Sequence, residues 1–462
     1  MSTFSGINLS SRALAAAQRN MDVTGQNIAN ANTQGYTRQR VEQVSTVAAQ
    51  GTWARKDVAG TGVEVTGITR IADALLDATM RADTAASAEQ QATARIWNQI
   101  EASLGEPSAT GLSTQLAAMH SSWANLGRTE GTEAAATARA DVLARSKAVV
   151  DTLATLDAHL ASQWSAADRQ LDVLVEQANS TAAQVAGLNE AILKANATGT
   201  SPNELIDHRE QALSRLAELT GARVTTRENG MVDVHVGNAA IVTGISAEKL
   251  SVSRAALADI KHDGAVTSLR IGQTGVLPVS GSLRATVDAV NTTIPRAALD
   301  LDATARRIGA SVNAVYNPGG TAALDFFAMP ISGRDYARGM VVRPDVTTTN
   351  FTDRSDATTV DRDIARRIGN LVSAEGGPTA TWRAHVTNVA SKVQSAEVRA
   401  EVAGQTAMKS AAARDSVSGV SIDEEMTNLV AYQHAYNAAA RVLTTIDQAL
   451  DTLINRTGLV GR

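Results

Sequence analysis

Apolar residues recur every seven positions near both ends of the chain. In the first forty residues they are Ile7, Leu14, Met21 and Ile28, with Ser10, Ala17, Thr24 and Ala31 at the intervening positions. Near the other end they are Ile422, Leu429, Tyr436, Leu443 and Leu450, with Met426, Ala440 and Ile454 on the adjoining row. This spacing predicts a narrow apolar stripe on one side of a helix that packs against another helix. Two ends with matching stripes most simply pair with each other.

A tract of turn-forming residues ends the first stripe. It runs through Asn30, Asn32, Thr33, Gly35, Tyr36 and Arg38. Such residues favour turns over helix, so the first helix should stop here. The second striped helix should begin at Ser421, because Ser421 and Glu424 have the spacing of a capping box. Ser201 and Glu204 have the same spacing and predict another helix start.

Helical periodicity dominates the residues between the two stripes. It extends over residues 71–104, 112–126, 132–197, 203–219, 282–316 (with a possible kink at Pro295) and 361–417 (with a break at 376–378). The longest segment, Thr132–Ala197, would form a helix of about 100 Å at ~1.5 Å per residue. Within 222–281 the pattern changes to short alternating runs separated by Asn-Gly, Gly-Asn and Asp-Gly turns, which predicts strands.

These patterns predict a mainly α, elongated fold with a small inserted β domain. The N- and C-terminal helices, in residues 1–40 and 421–462, should pair as a coiled coil. Residues 41–221 and 282–420 should form a helical rod domain built on long helices, with 41–70 extended or hairpin-like. Residues 222–281 should form the β domain at the far end of the rod.

Composition narrows the function classes. Aromatic residues make up only 3% of the 462 residues although 44% are hydrophobic, so slender, closely packed helices are favoured. The net charge of −5 and the lack of a basic run argue against a nucleic-acid partner. No stretch is apolar enough to predict insertion in a membrane, and the N-terminus does not resemble a cleaved secretory signal. The absence of cysteine excludes disulfides and thiolate metal sites, and fits either the cytosol or export in an unfolded form.

Candidate chemistry is sparse. The seven histidines show no paired metal-ligand spacing, so we expect no metal site and no cofactor. There is no nucleophile elbow and no phosphate-binding loop, so no catalytic residue is predicted. The acidic run 423–425 is better explained as favourable charge at a helix N-terminus than as a carboxylate site.

The residues at both ends resemble a known family. The stretch 15–36, with Gln26-Asn27-Ile28-Ala29-Asn30-Ala31-Asn32-Thr33-Gln34-Gly35-Tyr36, is similar to the N-terminal signature of the flagellar rod, hook and hook-associated axial proteins. Residues 418–425, 429–433 and 435–436 resemble the C-terminal partner of that signature. The tract Gly35-Tyr36-Thr37-Arg38-Gln39 favours the hook-associated branch at the hook–filament junction, and residues 203–221 and 325–327 agree with it more loosely.

The resemblance implies a structural, non-enzymatic subunit outside the cell. Such a protein is exported by the flagellar type III apparatus without a cleaved signal peptide, and an export chaperone binds its C-terminal helix. It assembles with other copies of itself in a ring, between hook protein on one side and a second junction protein or flagellin on the other.

Several alternatives remain open at this point. The turn could be a plain helix-terminating loop, and each striped helix could pack on its own domain core. A hook or rod protein, a cytoplasmic coiled-coil adaptor, or an enzyme of the same architecture (a wall hydrolase or a proteolytic filament subunit) would also fit parts of the pattern.

Overall fold

The computed structural model describes residues 3–46, 62–320, 322–349, 351 and 360–456. The α-helices are α1 (Thr3–Ala29), α2 (Ala74–Leu104), α3 (Leu112–Leu126), α4 (Thr132–Ala197), α5 (Asn203–Thr220), α6 (Leu257–Asp263), α7 (Ser282–Asp288), α8 (Ile294–Tyr316), α9 (Tyr336–Gly339), α10 (Val360–Gly369), α11 (Pro378–Ser418) and α12 (Ile422–Asp451). The strands are β1 (Gln39–Thr46), β2 (Gly62–Arg70), β3 (Arg223–Thr226), β4 (Val232–Val236), β5 (Ala239–Thr243), β6 (Ser246–Ala247), β7 (Leu250–Ser253), β8 (Ser268–Ile271), β9 (Thr274–Val276), β10 (Phe327–Ala328) and β11 (Val341–Val342). The predicted fold class, mainly α with a small β insertion, is confirmed.

The two terminal helices pack along each other, as the matching stripes predicted. A Cβ placed on Gly6 near the start of α1 would lie 2.9 Å from Cδ1 of Ile446, near the end of α12. At the other end of the pair, Asn27 of α1 bonds to Glu425 in the first turn of α12. The helices are therefore antiparallel. On its other side α1 packs on the antiparallel hairpin of β1 and β2.

Small side chains form the most buried row of α1. Ser10, Ala17 and Thr24, seven residues apart, are 3–6% exposed. The predicted stripe of Ile7, Leu14, Met21 and Ile28 is only half-buried. Small residues let two helix backbones approach closely, but they remove little apolar surface from water.

The C-terminal stripe is partly corrected by the structure. Leu429, Tyr436, Leu443 and Leu450 are half-buried. Ile422, Met426 and Ile454, in contrast, are 47%, 48% and 74% exposed and do not belong to the row that faces α1. Ala440 of the predicted adjoining row is half-buried, and so are Tyr432, Ala439 and Ile446, which were not predicted. Positions three and four residues further along a helix both adjoin a given side chain. The sequence therefore predicted most of the stripe and Ala440, was wrong at Ile422, Met426 and Ile454, and missed the row of Tyr432, Ala439 and Ile446.

Helix α4 is continuous over 66 residues, so the long-helix prediction is confirmed with its bounds. Two hydrophobic cores follow one another along it. The first lies on its N-terminal half and holds Leu153 and Leu160 with α3, α8, α10 and the start of α11. The second lies on its C-terminal half and holds Leu171 and Val185 with α5, α7 and strands β4, β5, β7, β8 and β9.

The strands of the insertion form two small antiparallel sheets, ordered β3-β4-β5-β6 and β7-β8-β9. The sequence missed α6 within this region. The predicted Asp263-Gly264 turn is wrong as a hairpin, because Gly264 (φ +71°) instead terminates α6.

The insertion does not lie at the far end of the rod. It shares the second core with α5, which also contacts β2 next to the terminal helices, whereas the first core lies further away along α4. Sequence periodicity locates strands along the chain but not where they pack, so the expected placement was wrong.

Two expected irregularities appear near proline. A π-helical turn, Ala289–Thr293, joins α7 to α8 and ends two residues before Pro295. α11 begins at Pro378, directly after the predicted Gly376-Gly377 break. The division of the chain into the three predicted domains stays a prediction.

Candidate functional site

A cluster of hydrogen-bonded polar residues lies where the terminal helices meet the rest of the chain. It joins the end of α1, the following turn, the base of the β1–β2 hairpin, the start of α5 and the start of α12. We call it the polar junction and define it as Asn27, Tyr36, Thr37, Arg38, Gln39, Arg70, Asn203, Glu204, Asp207 and Glu425.

Asn27 and Glu425 form the buried centre of the polar junction, with residue exposures of 1% and 2%. Asn27 Nδ2 donates to the Gln39 carbonyl (2.9 Å) and to Glu425 Oε2 (3.1 Å). Asn27 Oδ1 accepts from the Tyr36 hydroxyl (2.9 Å) and the Gln39 amide (3.0 Å). Arg38 Nε and Nη2 contact Glu425 Oε1 at 2.8 and 2.7 Å. The amide and the carboxylate are thus held by residues from three segments.

A second set of contacts ties the turn to α5. Asp207 Oδ1 pairs with Arg70 (Nη2, 2.7 Å), and Asp207 Oδ2 accepts from the Thr37 amide (3.2 Å). Asn203 Nδ2 donates to Gln39 Oε1 (3.0 Å) and to a β2 carbonyl, that of Ile68 (3.0 Å). Removing one partner of such a buried ion pair costs about 3–5 kcal/mol, because the other charge is left without compensation.

The end of α11 and the start of α2 close the polar junction from a third side. Arg414 of α11 pairs with Asp77 of α2 at 3.3 Å and donates to the Thr37 hydroxyl at 3.3 Å. Further along α2, Arg81 pairs with Glu210 of α5 at 2.7 Å. The terminal helices are therefore connected to α2 and α11, which lead into the first core, and to α5, which lies in the second core.

The predicted turn residues occupy the surface of this junction. Asn30 Nδ2 donates to a carbonyl of the last helical turn (3.0 Å), and the Thr33 hydroxyl donates to Asn30 Oδ1 (3.3 Å). Gly35 has φ +79°, which a residue with a Cβ rarely adopts. Asn32 is exposed. The structure brings Arg38 and Tyr36 into the polar junction and leaves Asn30, Asn32 and Thr33 around it.

Electrostatics at the junction keep Tyr36 neutral. Burial, together with the negative charges of Asp207, Glu204 and Glu425, raises the pKa of Tyr36 to about 12. The phenol therefore stays protonated at every physiological pH and can donate to Asn27. Tyr36 acts as a hydrogen-bond donor and not as a titrating group.

Ser421 caps α12 as expected, but the reciprocal half of the capping box is absent. Ser421 Oγ accepts from the Glu424 amide at 3.5 Å. The Glu424 side chain does not fold back and instead pairs with Arg38 at 2.8 Å. The box predicted at Ser201 and Glu204 is wrong: α5 has no side-chain cap, and Glu204 Oε1 accepts from Gln26 at 3.0 Å.

Sequence reasoning missed Asn27, Glu425, Asn203 and Asp207 as junction residues. Asn27 and Glu425 could have been found, because they are polar residues in otherwise apolar helix pairs, where a buried polar group needs a partner. The two α5 residues carried no such signal. Their partners lie more than 130 positions away in the sequence.

The arrangement is suited to holding segments together and shows no site for chemistry. Within the described ranges, no group of three or more histidine, aspartate or glutamate side chains could hold a metal ion. Among the same residues, every helix is too short or too polar to cross a membrane.

Three models of flagellar protein families match different parts of the chain. The family model described as the flagellar hook-associated protein FlgK helical domain matches residues 97–327. Models described as the flagella basal body rod protein and the flagellar basal body rod FlgEFG protein C-terminal match residues 7–37 and 413–456.

Individual relatives are named flagellar hook-associated protein 1. Flagellar hook-associated protein 1 of Bacillus subtilis (strain 168) is 28% identical, and the match covers 100% of both chains. The protein of that name from Escherichia coli (strain K12) is also 28% identical, over 70% of this chain and 60% of that one. A solved structure, the flagellar hook junction protein FlgK from Burkholderia pseudomallei, matches with a TM-score of 0.47 and 22% identity, over 54% of this chain and 46% of that one.

Proposed function

The chain belongs to the family of the flagellar hook-associated protein FlgK, and on this premise we propose that it forms the junction between hook and filament. It is a structural component of the bacterial flagellum. The observation that carries the proposal is the polar junction, which joins both chain ends to α5 and α11. A subunit that transmits force between hook and filament needs its assembly helices fixed to its body, and these contacts provide that connection.

We assign assembly to the paired terminal helices. The stripe of Ile7, Leu14, Met21, Ile28, Leu429, Tyr436, Leu443 and Leu450 holds the pair together, and its half-buried side chains extend to the flanks of the pair. Ile422 and Ile454 remain exposed on the single chain and are free to contact neighbouring subunits. The turn from Asn30 to Arg38 re-aims the chain from the inner helices to the outer body.

The proposed partners follow from that position. They are other copies of this chain in a ring, hook protein on one side, and a second junction protein or flagellin on the other. Heterologous contacts of this kind propagate around a tube instead of closing on themselves as a dimer does. Before assembly, the protein passes to the cell exterior without a cleaved signal, with a chaperone at its C-terminal helix. We assign it no enzymatic activity.

Deleting the gene and imaging the flagella tests this function. We expect hooks that carry no filaments, with flagellin lost to the medium, and filaments restored by the unchanged chain. Filaments of normal length and number on the deletion strain would refute the proposal.

A hook or rod protein is the second candidate, since the two terminal family models are described as rod proteins. The same deletion separates the two. Loss of a rod or hook subunit would remove the hooks themselves, whereas loss of a junction subunit leaves them in place.

A further inference from the structure

We propose that Asn27 and Glu425 fix the register in which α1 pairs with α12. The inference concerns the helices to which the proposed function assigns assembly, and it rests on that function only for its consequence in the flagellum. The apolar and small residues of the two helices bring them together. The buried polar pair decides which residues stand opposite each other.

Three observations define the native register. Gly6 lies against Ile446, Asn20 and Tyr432 line one cleft, and Asn27 bonds to Glu425. Along α1, Gly6 and Asn20 are two heptads apart, and Asn20 and Asn27 are one heptad apart. Their partners on α12 are separated by the same distances in the opposite direction. The pairs therefore belong to one antiparallel register that runs the length of both helices.

The apolar stripes alone do not select this register. Leu429, Tyr436, Leu443 and Leu450 repeat every seven residues, and so do Ile7, Leu14, Met21 and Ile28 on α1. A slip by one heptad puts an apolar side chain opposite an apolar side chain again. A sequence repeat that matches itself after a slip leaves the alignment open, and coiled coils commonly resolve it with a single buried polar residue.

Glu425 does not tolerate such a slip. One heptad at ~1.5 Å per residue displaces its carboxylate by about 10 Å, beyond the reach of Arg38 and Asn27. Its side chain is only 3% exposed, so the displaced carboxylate would be buried without the compensating charge of Arg38. Since a buried charge without a partner is strongly unfavourable, the slipped pairing is excluded.

Asn27 reinforces the choice because its amide is completely satisfied in the native register. Both Nδ2 hydrogens and both Oδ1 acceptor positions are used, by Gln39, Glu425 and Tyr36. Gln39 and Tyr36 belong to the turn and hairpin and not to α12. The register of the two helices is thereby tied to the position of the body of the protein.

Cysteine cross-linking of the purified full-length chain tests this inference. The sequence contains no cysteine, so introduced pairs report without interference. The native pair is Gly6→Cys with Ile446→Cys. The pairs shifted by one heptad combine Gly6→Cys with Ala439→Cys or with Leu453→Cys. Disulfide yield after brief mild oxidation is measured on monomer separated by gel filtration.

In the parent chain we expect the native pair to cross-link at least about tenfold more than either shifted pair. In the apolar variant Asn27→Leu with Glu425→Leu, the three yields should come within about threefold of each other, because the apolar stripes fit every alignment. Glu424→Gln removes the exposed acid that also contacts Arg38, and this control should keep the parent pattern.

Glu425→Gln provides a second, milder variant in case Asn27→Leu with Glu425→Leu fails to fold. It keeps the side-chain volume and the contact with Asn27 and removes the charge, so its shifted yields should lie between those of the parent and the apolar variant. Parent-like cross-linking in both junction variants would overturn the inference. That result would leave the flagellar function standing, since the function is tested by the deletion strain and not by register.

Discussion

Gly35 offers the sharpest test of the turn, because its backbone and its surroundings both exclude a side chain. The residue has φ +79°. A Cβ built on it would lie 2.1 Å from Nε2 of Gln211 and 2.8 Å from Cγ and Cδ of the same side chain. Gln211 is fixed there because its Nε2 donates to the Gln34 carbonyl at 2.6 Å. Gly35→Val therefore forces both an unfavourable backbone conformation and the displacement of Gln211.

The two costs can be estimated separately. A residue with a branched Cβ at positive φ costs roughly 1–3 kcal/mol in backbone strain. Moving Gln211 away loses its hydrogen bond to Gln34, which is worth about 0.5–1.5 kcal/mol. Together, Gly35→Val should destabilise the turn by about 2–4 kcal/mol, most of it from strain.

Hydrogen exchange at the turn measures this cost directly. The amides of Thr33, Tyr36 and Thr37 are hydrogen-bonded within the turn or to Asp207. If exchange is governed by the opening equilibrium, a loss of about 2–4 kcal/mol should speed it roughly 30- to 1000-fold, up to the limit of unprotected amides. Unchanged protection in Gly35→Val would refute the strain argument.

Two further variants separate the terms. In a Gln211→Ala background the clash and the hydrogen bond to Gln34 are both already absent, so Gly35→Ala should cost only the backbone strain. Gly25→Ala is the matched control: Gly25 is an exposed α1 residue with no atom within 4 Å of an added Cβ. A Gly to Ala change in a helix interior is stabilising by about 0.5–1 kcal/mol, so the control should raise protection slightly.

Three other outcomes are expected. Leu160→Pro, in the buried middle of the helix Thr132–Ala197, should cost about 3 kcal/mol or more and lower the helical circular dichroism melt, and an unchanged melt would contradict a continuous packed helix. Burial lowers the pKa of His120 and of His385, so folding stability should fall as pH drops below their ordinary value of about 6.5; His120→Gln should weaken this dependence in denaturant titrations, whereas the exposed His159→Gln should leave it intact. In the isolated monomer, hydrogen exchange should be faster in α1 and α12 than in α4, because the terminal stripes are only half-buried; equal protection would show that the ends are stable without neighbours.

Helix positions could be predicted from the sequence because their signals are local. The bounds of α3 and α4 coincide with the periodic segments, and Gly221 ends α5 at φ +65° as a helix-terminating glycine should. The stripe on α12 was found for the same reason. The row of Tyr432, Ala439 and Ile446 was missed, because positions three and four residues further along a helix both adjoin a given side chain.

The polar junction could not be predicted because its contacts join distant segments. Asn27 and Glu425 are 398 positions apart, and Thr37 and Asp207 are 170 apart. No periodicity links such pairs. The capping-box rule also failed at Glu204 because a distant residue competes for its side chain. The Glu204 carboxylate accepts a hydrogen bond from Gln26 of α1 instead of from the N-terminus of its own helix. The sequence identified Tyr36 and Arg38 in the turn but not Asn27, Asp207 and Glu425, to which the turn is bonded.

The paired terminal helices are held by two kinds of contact: close packing of small residues and the hydrogen bonds of the polar junction. Gly6, Ala16 and Ala17 let the helices approach closely, and this close approach gives up the apolar area that larger side chains would bury. Affinity within one chain is therefore modest, and the polar junction supplies the alignment that a weak apolar stripe does not. The small contact area between the two helices also leaves Ile422 and Met426 uncovered, at 47% and 48% exposure. On the proposed function, neighbouring subunits cover these side chains, so the pair gains its full stability only in the assembled tube, with its register already set by its own chain.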